Sequence, residues 1–248
     1  MPEPDLRELR REVALACRVL AHAGLVADVL GHVSVRVGED ALLVRCRGPQ
    51  EKGLLFTTPD DIGLFRLNGS VALADGYAAP SELPIHAETM RARPEVAAVV
   101  HAHPPAIVTA DLAGLKLRPV VGAYNIPAMA MARDGIPVYP RAVLVRTANL
   151  AAEMLAAMGS APVCVLRGHG VTTTGSSVPA AVVRALNLDA LAKVVLAAAQ
   201  AGGHPADLPA ADLAELPDLG AVLDTESVWR YHLARLALAG LDLPDGTS

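Results

Sequence analysis

Aromatic residues and cysteines are scarce in this chain of 248 residues. Phe, Trp and Tyr together make up 3% of it, so its core must come mainly from aliphatic side chains within the 52% of hydrophobic residues. The three cysteines lie far apart and form no CxxC pair, so we expect buried, unpaired thiols. These absences exclude a disulfide-stapled secreted fold and predict a cytoplasmic protein.

The chain also lacks an apolar run long enough to span a bilayer, and it lacks a cluster of basic residues. Its first segment, Met1 to Arg11, is charged and does not have the apolar centre of a signal peptide. The net charge is −5 and the Lys and Arg residues are scattered, so no surface for nucleic acid or an acidic membrane is indicated. We therefore expect a small molecule as the partner, with no nucleic acid and no membrane.

The order of apolar patterns indicates the fold class. Helical periodicity predicts a first helix over about 5–23 and a long one over 179–200, and the short apolar runs near the N-terminus predict neighbouring antiparallel strands. Regular alternation of strand and helix is absent. The pattern predicts a mixed α/β layer fold, with residues 1–220 as one domain and a C-terminal helix and tail, 221–248, packed on it.

Several local elements depend on shorter patterns. Apolar runs predict strands at 54–57 and 144–146. Ser81 is expected to cap the helix that follows it. The segment 118–140 is rich in Pro and Gly, and we expect one or two strands in it.

Two histidines, His101 and His103, stand one residue apart at the end of an apolar run. On a β-strand every second side chain leaves the same face, so the two imidazoles would start about 7 Å apart along the backbone. Imidazole is a common ligand of divalent metals. The spacing is compatible with a shared cation and also with ordinary strand histidines, so a metal site requires further ligands.

Other polar residues offer groups for such a site. Glu82 begins a predicted helix, where a carboxylate can simply compensate the helix dipole. His169 lies between two glycines after a buried strand, either at the rim of the sheet or in solvent. His32, Ser34 and Arg36 share one face of an early strand, which is either the wet side of a sheet or a row that binds a substrate carboxylate.

Taken in order along the chain, these motifs resemble the class II aldolase/adducin family, over about residues 5 to 200. The resemblance rests on Gly31-His32-Val33-Ser34-Val35-Arg36, Thr58-Pro59, Pro80-Ser81-Glu82 with His86, His101-Ala-His103 and Gly168-His169-Gly170. It implies a three-layer α/β/α sandwich around a mixed, largely antiparallel sheet. It also implies a homotetramer whose active sites lie near the subunit interfaces.

The resemblance assigns roles to the candidate site. It implies that His101, His103 and His169 bind one divalent metal ion per subunit and that Glu82 acts as the acid or base. We favour zinc, and manganese, magnesium, cobalt or iron would suit the same ligands. Desolvation near the site is expected to raise the pKa of Glu82 toward the useful range.

Departures from the family's phosphosugar aldolases bear on the substrate. Those enzymes typically have Asn where His32 stands and a Ser-Gly or Thr-Gly pair where Asp60 and Asp61 stand. Two carboxylates at that turn would repel a phosphate dianion. The catalytic tyrosine expected about five residues after Pro119 is displaced, and Tyr124 is the candidate for that role.

The remaining pattern resembles the branch of the family that contains decarboxylases of aromatic and ring-cleavage acids, such as dihydroxyphthalate and carboxymuconic semialdehyde decarboxylases. We therefore expect a metal-dependent carbon–carbon lyase that decarboxylates a hydroxylated aromatic or unsaturated keto or hydroxy acid, through an enolate whose charge the cation neutralises. The residues expected to bind this small-molecule carboxylate are His32, Ser34, Arg36 and Ser81. Three alternatives stay open: an aldolase of sugar-derived hydroxy-carbonyl compounds, an Fe(II) oxygenase of the same family and a non-catalytic adducin-like interaction protein.

Overall fold

An eight-stranded sheet forms the middle layer of the protein, whose computed structural model describes residues 5–69 and 71–243. In chain order the strands are β1 (His32–Val37), β2 (Ala41–Arg45), β3 (Ile62–Arg66), β4 (Val71–Ala72), β5 (Ala98–Ala102), β6 (Val138–Tyr139), β7 (Val163–Leu166) and β8 (Gly170–Gly175). Across the sheet they run β4-β3-β2-β1-β5-β8-β7-β6. All neighbours are antiparallel except β6 and β7, so the predicted mixed, largely antiparallel sheet is confirmed.

Helices cover both faces of this sheet. They are α1 (Leu6–His22), α2 (Leu83–Ala92), α3 (Pro105–Leu112), α4 (Ile126–Ala132), α5 (Ala148–Met158), α6 (Val178–Gln200), α7 (Ala210–Glu215) and α8 (Ser227–Leu238). The side chains of Asp5, Asn125, Thr147 and Ser177 cap α1, α4, α5 and α6 by accepting a hydrogen bond from a backbone amide in the first turn. These caps satisfy amides that would otherwise have no partner within the helix.

The two faces of the sheet bury two separate hydrophobic cores. On β5, Val100 faces the larger core, which is covered by α1, α3, α4 and α6, and Val99 faces the smaller core under α2 and α5. This alternation follows from the two-residue period of a strand. The result is the predicted three-layer sandwich. His101 shares the face of Val99 and pairs in register with His32 of β1, so both histidines lie on the side of the smaller core.

The cysteines are buried on both sides of the sheet and are unpaired, as predicted. Cys17 belongs to the larger core, whereas Cys46 and Cys164 belong to the smaller one. Desolvation by burial raises the pKa of Cys17 to about 12 and those of Cys46 and Cys164 to about 11. Across residues 5–69 and 71–243, no helix has the length and apolarity needed to cross a membrane.

The C-terminal helix α8 packs against α1 and α6. Its Leu236 is fully buried, and Leu243 beyond it is 4% exposed in the same larger core. Residues 1–4 of the predicted domain and residues 244–248 of the predicted C-terminal segment lie outside the described residues.

Two of the predicted strands are wrong. Leu54–Phe56 forms a 3-10 helix, because the chain turns at Gly53, whose φ of +90° lies in the left-handed region that favours glycine. The apolar run 144–146 is a loop, and its Val145 is buried in the smaller core. A loop that fills a core needs apolar residues as much as a strand does, so a short apolar run cannot distinguish them.

One helix was missed in the segment 118–140. This segment contains one strand, β6, as predicted, but it also contains the helix α4. Asn125 starts the helix by accepting a hydrogen bond from the amide of Ala128 at 3.0 Å, and Pro127 occupies the first turn. The proline that indicated a loop is therefore a helix-start residue.

Candidate metal centre

Four residues that can bind a metal meet at one end of the sheet. His101 is on β5 and His103 follows the strand directly, while His169 lies in the turn between β7 and β8. Because β5 pairs with β8, that turn lies beside the end of β5. Glu82, just before α2, completes the group, and one ligand atom from each residue lies within 4.8 Å of the others. We call these four residues the ligand cluster.

The side chains of the ligand cluster are in close contact. The Nε2 atoms of His101 and His103 are 2.9 Å apart. Oε2 of Glu82 lies 3.3 Å from Nε2 of His101 and 3.5 Å from Nε2 of His169. The ring centroids of the three histidines are 4.8 to 4.9 Å apart. Three imidazoles and one carboxylate oxygen therefore converge on one point.

The donor atoms of the ligand cluster fit a divalent cation. Nε2 of His169, the atom that faces Glu82, is buried without a hydrogen-bond partner within the described residues, as are the Nδ1 atoms of His101 and His169, although buried polar atoms are normally paired. Burial, reinforced by the neighbouring His101 and His169, lowers the pKa of His103 to about 3. His103 is therefore a neutral imidazole with a free lone pair, the form that binds metals. A set of three nitrogens and one oxygen suits zinc, manganese or iron.

Glu82 is held in place by the loop before α5. The prediction that Ser81 caps α2 is wrong, because the helix begins at Leu83 and Glu82 occupies the cap position without a capping hydrogen bond from its side chain. Oε1 of Glu82 instead accepts a hydrogen bond from the backbone amide of Val145 at 2.8 Å. Only Oε2 faces the histidines. The buried loop that was expected to be a strand thus orients the carboxylate.

The expectation that the pKa of Glu82 is raised is also wrong. Burial raises this pKa, as expected, but the adjacent imidazoles of His101 and His169 outweigh that effect and lower it below its usual range. Glu82 is therefore a carboxylate at neutral pH. A carboxylate only accepts hydrogen bonds and protons, so Glu82 is suited to act as a metal ligand or as a base.

Two glycines let the backbone approach the segment from His101 to His103. A Cβ atom at Gly170 would lie 2.3 Å from the carbonyl oxygen of Ala102 and 3.1 Å from the ring of His103. Gly31 has a φ of +82°, and a Cβ there would lie 2.7 Å from Val26 and 3.2 Å from the carbonyl oxygen of His101. Both motifs that contain these glycines therefore need a residue without a side chain next to the strand end.

A second group of buried polar residues lies beside the ligand cluster. His86 of α2 has its Nε2 atom 2.6 Å from Nδ1 of His32 and its Nδ1 atom 2.6 Å from Oγ of Ser34. The ring of His32 is 5.0 Å from that of His101, centroid to centroid. Desolvation lowers the pKa of His86 to about 3 and that of His32 well below its usual value. We call Ser34, His86 and His32 the histidine chain.

Arg36 is not part of the site. Its guanidinium donates hydrogen bonds to the carbonyl oxygens of Met90, Arg93 (3.1 Å) and Val96 (2.9 Å), at the end of α2 and in the turn after it. Arg36 shares a strand face with His32, but four residues of extended chain separate them by about 13 Å. The interpretation of Arg36 as a substrate ligand is thus corrected: it satisfies the carbonyls at a helix C-terminus.

Of two further candidates in the described part of the chain, Tyr124 does not contact the ligand cluster, whereas Ser81 lies beside it. Tyr124 is 76% exposed and precedes α4, whose first residues contact α6 on the opposite layer through a hydrogen bond from Asn125 to Asn187. Within one chain and over its described residues, Tyr124 makes no hydrogen bond, ion pair or ring contact with the ligand cluster. Ser81 is exposed and lies directly before Glu82, beside the cluster.

Three residues that shape the site, His86, Val145 and Asp111, have no role predicted from the sequence. Asp111 of α3 accepts a hydrogen bond from the amide of Gly168 at 2.7 Å, which fixes the turn that carries His169. His86 belongs to a motif that carries the family resemblance and follows Glu82 by one helical turn, but its contacts with His32 and Ser34 depend on how α2 packs on β1. A backbone amide such as that of Val145, or one aspartate in a helix, has no local pattern that indicates such a contact.

The chain is similar to known proteins both in sequence and in fold. The profile of the family described as Class II Aldolase and Adducin N-terminal domain matches residues 11–196. The chain is 56% identical over 234 residues to a 3,4-dihydroxyphthalate decarboxylase of Arthrobacter keyseri, covering 93% of this chain and 94% of that protein. It is 49% identical over 241 residues to a 3,4-dihydroxyphthalate decarboxylase of Rhodococcus jostii, covering 96% and 99%. An aldolase II superfamily protein of Pseudomonas syringae superposes with a TM-score of 0.79 at 21% identity, covering 98% of this chain and 97% of that one.

These similarities answer different questions. The solved structure shows the fold alone, and it confirms the α/β fold expected from the motifs. The two decarboxylases are similar over nearly their whole length, so the chain is an enzyme, a lyase of the decarboxylase type, and not a non-catalytic interaction protein. The resemblance carried by the histidine motifs is confirmed: the chain belongs to the class II aldolase and adducin family, in its decarboxylase branch.

Proposed function

We propose that this enzyme removes carbon dioxide from 3,4-dihydroxyphthalate or from a closely related aromatic dicarboxylate with a hydroxyl group next to the departing carboxylate. The observation that carries the proposal is the ligand cluster, in which Glu82 meets three histidines and Nε2 of His169 is buried without a hydrogen-bond partner within the described residues. The substrate follows from the two decarboxylases that are 56% and 49% identical to this chain.

Breaking this bond leaves an electron pair on the aromatic ring. The cleavage is favourable only if a proton reaches the same ring carbon. The adjacent oxygen must also carry negative charge while the bond breaks. A divalent cation bound by the ligand cluster would supply a Lewis acid that stabilises negative charge on the substrate oxygens beside the bond that breaks. Zinc is the metal we expect, and manganese, magnesium, cobalt or iron would fit the same residues.

Glu82 is the residue we assign to proton transfer. It is deprotonated before the reaction, and Oε2 is the oxygen that faces the ligand cluster because Oε1 accepts from the amide of Val145. Oε2 takes the proton of the substrate hydroxyl and then gives it to the ring carbon that loses carbon dioxide. The product oxygen regains a proton from solvent, so one proton replaces one carbon dioxide in each turnover.

His32 and Ser81 are the residues we assign to substrate binding. A phthalate has a second carboxylate that stays on the product, and a donor is needed to hold it. His32 lies beside His101 at the ligand cluster, and Ser81 places an exposed hydroxyl next to Glu82. Ser34 acts behind His32, to which it is linked through His86.

We expect a cytoplasmic homotetramer with its active site near a subunit interface. The three free, buried thiols support a reducing compartment. Exposed apolar residues of the C-terminal part support association: Val222 is 56% exposed, Leu223 57% and Leu238 89%. Tyr124 can take part in catalysis only if a second copy of the chain carries it to the site. Light scattering on the purified protein measures the mass of the assembly.

The proposal is tested by the products and requirements of the reaction. Purified enzyme loaded with Zn, Mn or Fe(II) is incubated with 3,4-dihydroxyphthalate, with and without oxygen, while carbon dioxide and 3,4-dihydroxybenzoate are measured. We expect equal amounts of both products without oxygen, loss of turnover after chelation and recovery when metal is returned. A requirement for oxygen would indicate an oxygenase. Absence of carbon dioxide release with every metal would contradict the proposal.

A further inference from the structure

The histidine chain is buried beside the ligand cluster, and the proposed reaction gives its middle member, His86, no role. His86 has no exposed surface, and both of its ring nitrogens are engaged at 2.6 Å, by Ser34 and by His32. Ser34 is also completely buried. Within the described residues, Oγ of Ser34 has no second hydrogen-bond partner, and Nε2 of His32 has none.

The number of hydrogens in the histidine chain limits how its bonds can run. The two rings are buried with their facing nitrogens 2.6 Å apart, and two charged imidazoles would not share such a site, so the two neutral rings and the hydroxyl carry three donor hydrogens. Two of them form the two hydrogen bonds, and the third remains at one end of the chain. If His32 donated to His86 and His86 to Ser34, the third would be the hydroxyl hydrogen of Ser34, buried without an acceptor.

The opposite direction leaves no buried donor unpaired. Ser34 then donates to Nδ1 of His86, and Nε2 of His86 donates to Nδ1 of His32. The third hydrogen lies on Nε2 of His32, a residue that keeps 7% of its surface exposed. A buried donor without an acceptor is costly enough to favour this direction about tenfold or more.

We propose that Ser34 and His86 fix His32 in the tautomer that carries its hydrogen on Nε2, so that His32 presents an N–H donor beside the ligand cluster. Ser34 and His86 are positioning residues, and His32 is the residue that meets the ligand. Building on the proposed function, the group that receives this hydrogen bond is the carboxylate that the substrate keeps. The selected ligand is therefore an aromatic acid with a second anionic group.

The burial of Ser34 separates this role from a proton relay. A relay needs an end that exchanges protons with solvent, but Ser34 has no exposed surface and no second partner within the described residues. The histidine chain therefore ends inside the protein. It can hold a tautomer and orient a ring, while proton transfer remains with Glu82.

The first test reads the tautomer directly and does not depend on turnover. Long-range proton–nitrogen NMR of the zinc-loaded, ¹⁵N-labelled protein shows which ring nitrogen of His32 carries hydrogen, with His32→Gln to assign the signals. We expect hydrogen on Nε2 in the unsubstituted protein and a mixture of tautomers in Ser34→Ala. The matched control is Thr173→Val, which removes a buried hydroxyl that donates to Ala181 at 2.7 Å. It should leave the tautomer of His32 unchanged.

The second test separates binding from chemistry. With 3,4-dihydroxyphthalate, Ser34→Ala should raise KM about threefold to tenfold and leave kcat within about twofold, since a hydrogen bond to a charged group is weakened. Metal content should stay equal to that of Thr173→Val. Hydrogen on Nδ1 of His32 in the unsubstituted protein, or a KM unchanged by Ser34→Ala, would overturn the proposal. If the unsubstituted enzyme releases no carbon dioxide, the proposed function fails, and the NMR result still decides the tautomer.

Discussion

The ligand cluster and the histidine chain are neighbours with the same kind of side chain, yet their hydrogen bonding is opposite. His86 and His101 are both completely buried. Both nitrogens of His86 have a partner at 2.6 Å, whereas Nδ1 of His101 and both nitrogens of His169 have none within the described residues. Burial alone therefore does not distinguish a metal ligand from a positioning residue. Unpaired ring nitrogens distinguish His101 and His169 from His86.

The difference has a physical origin in what each group needs to be stable. The histidine chain is complete as it stands, because protein atoms satisfy its inner nitrogens. The ligand cluster brings three imidazoles and a carboxylate together and leaves lone pairs unused, which is favourable only when a cation shares them. The comparison predicts that substitutions in the two groups have different consequences.

The largest expected effect comes from removing one member of each group. His101→Ala should weaken zinc binding by about 100-fold or more and reduce decarboxylation below detection, since it removes a ligand. His86→Gln should retain the metal within a few-fold, because no nitrogen of His86 belongs to the ligand cluster. Metal content after dialysis against a competing chelator measures both. Equal loss of metal in the two variants would remove the distinction between the groups.

An intermediate effect is expected from pH on the metal-free protein. The pKa of His86 is lowered to about 3 in the folded state, so between about pH 6.5 and 5 the unfolded state binds a proton that the folded state does not. The free energy of unfolding should therefore fall as the pH falls, by at most about 1.4 kcal/mol per pH unit for this residue.

Denaturant unfolding at several pH values measures this slope. The lowered pKa of Glu82 acts in the same direction, but only below the pKa of an unfolded glutamate, near 4.5, so the window above pH 5 isolates the histidines. His86→Gln should have a smaller slope than the unsubstituted protein. An identical slope in both would mean that the histidine chain does not titrate as its burial requires.

The smallest effect on the active site is expected from Arg36, which continues the row of His32 and Ser34 along β1. Arg36→Met should lower the free energy of unfolding by about 1–3 kcal/mol, because carbonyls at the end of α2 lose their donor. KM for the substrate should change less than twofold. Thermal unfolding and steady-state kinetics measure the two quantities. A large rise in KM with unchanged stability would restore the interpretation of Arg36 as a substrate ligand.

The sequence allowed the ligand cluster to be predicted because its residues belong to short motifs in a fixed order. His101 and His103 could be placed on one strand face from the two-residue period, and the glycines around His169 indicated a turn. The order of apolar patterns also predicted a mixed α/β layer fold, and the family resemblance implied a sheet covered on both faces. Such features depend on residues close together in the chain, so local patterns contain them.

Other features depend on distances that no local pattern contains. Arg36 does lie on the strand face predicted for it. However, β1 is long enough that Arg36 lies away from His32 and near the end of α2. The exposure of Tyr124 depends on how α4 packs on α6. The pKa of Glu82 is set by imidazoles that are 19 and 87 positions away in the chain, so burial alone gave the wrong direction.

Labelling of the three buried thiols can report local unfolding of the protein. The reactive form of cysteine is the thiolate, and with pKa values of about 11 to 12 almost none is present at neutral pH. Alkylation of Cys17 therefore requires the larger core to open, and alkylation of Cys46 or Cys164 requires the smaller core, beside the ligand cluster, to open. The order in which the thiols are labelled thus reveals which layer of the sandwich leaves the sheet first.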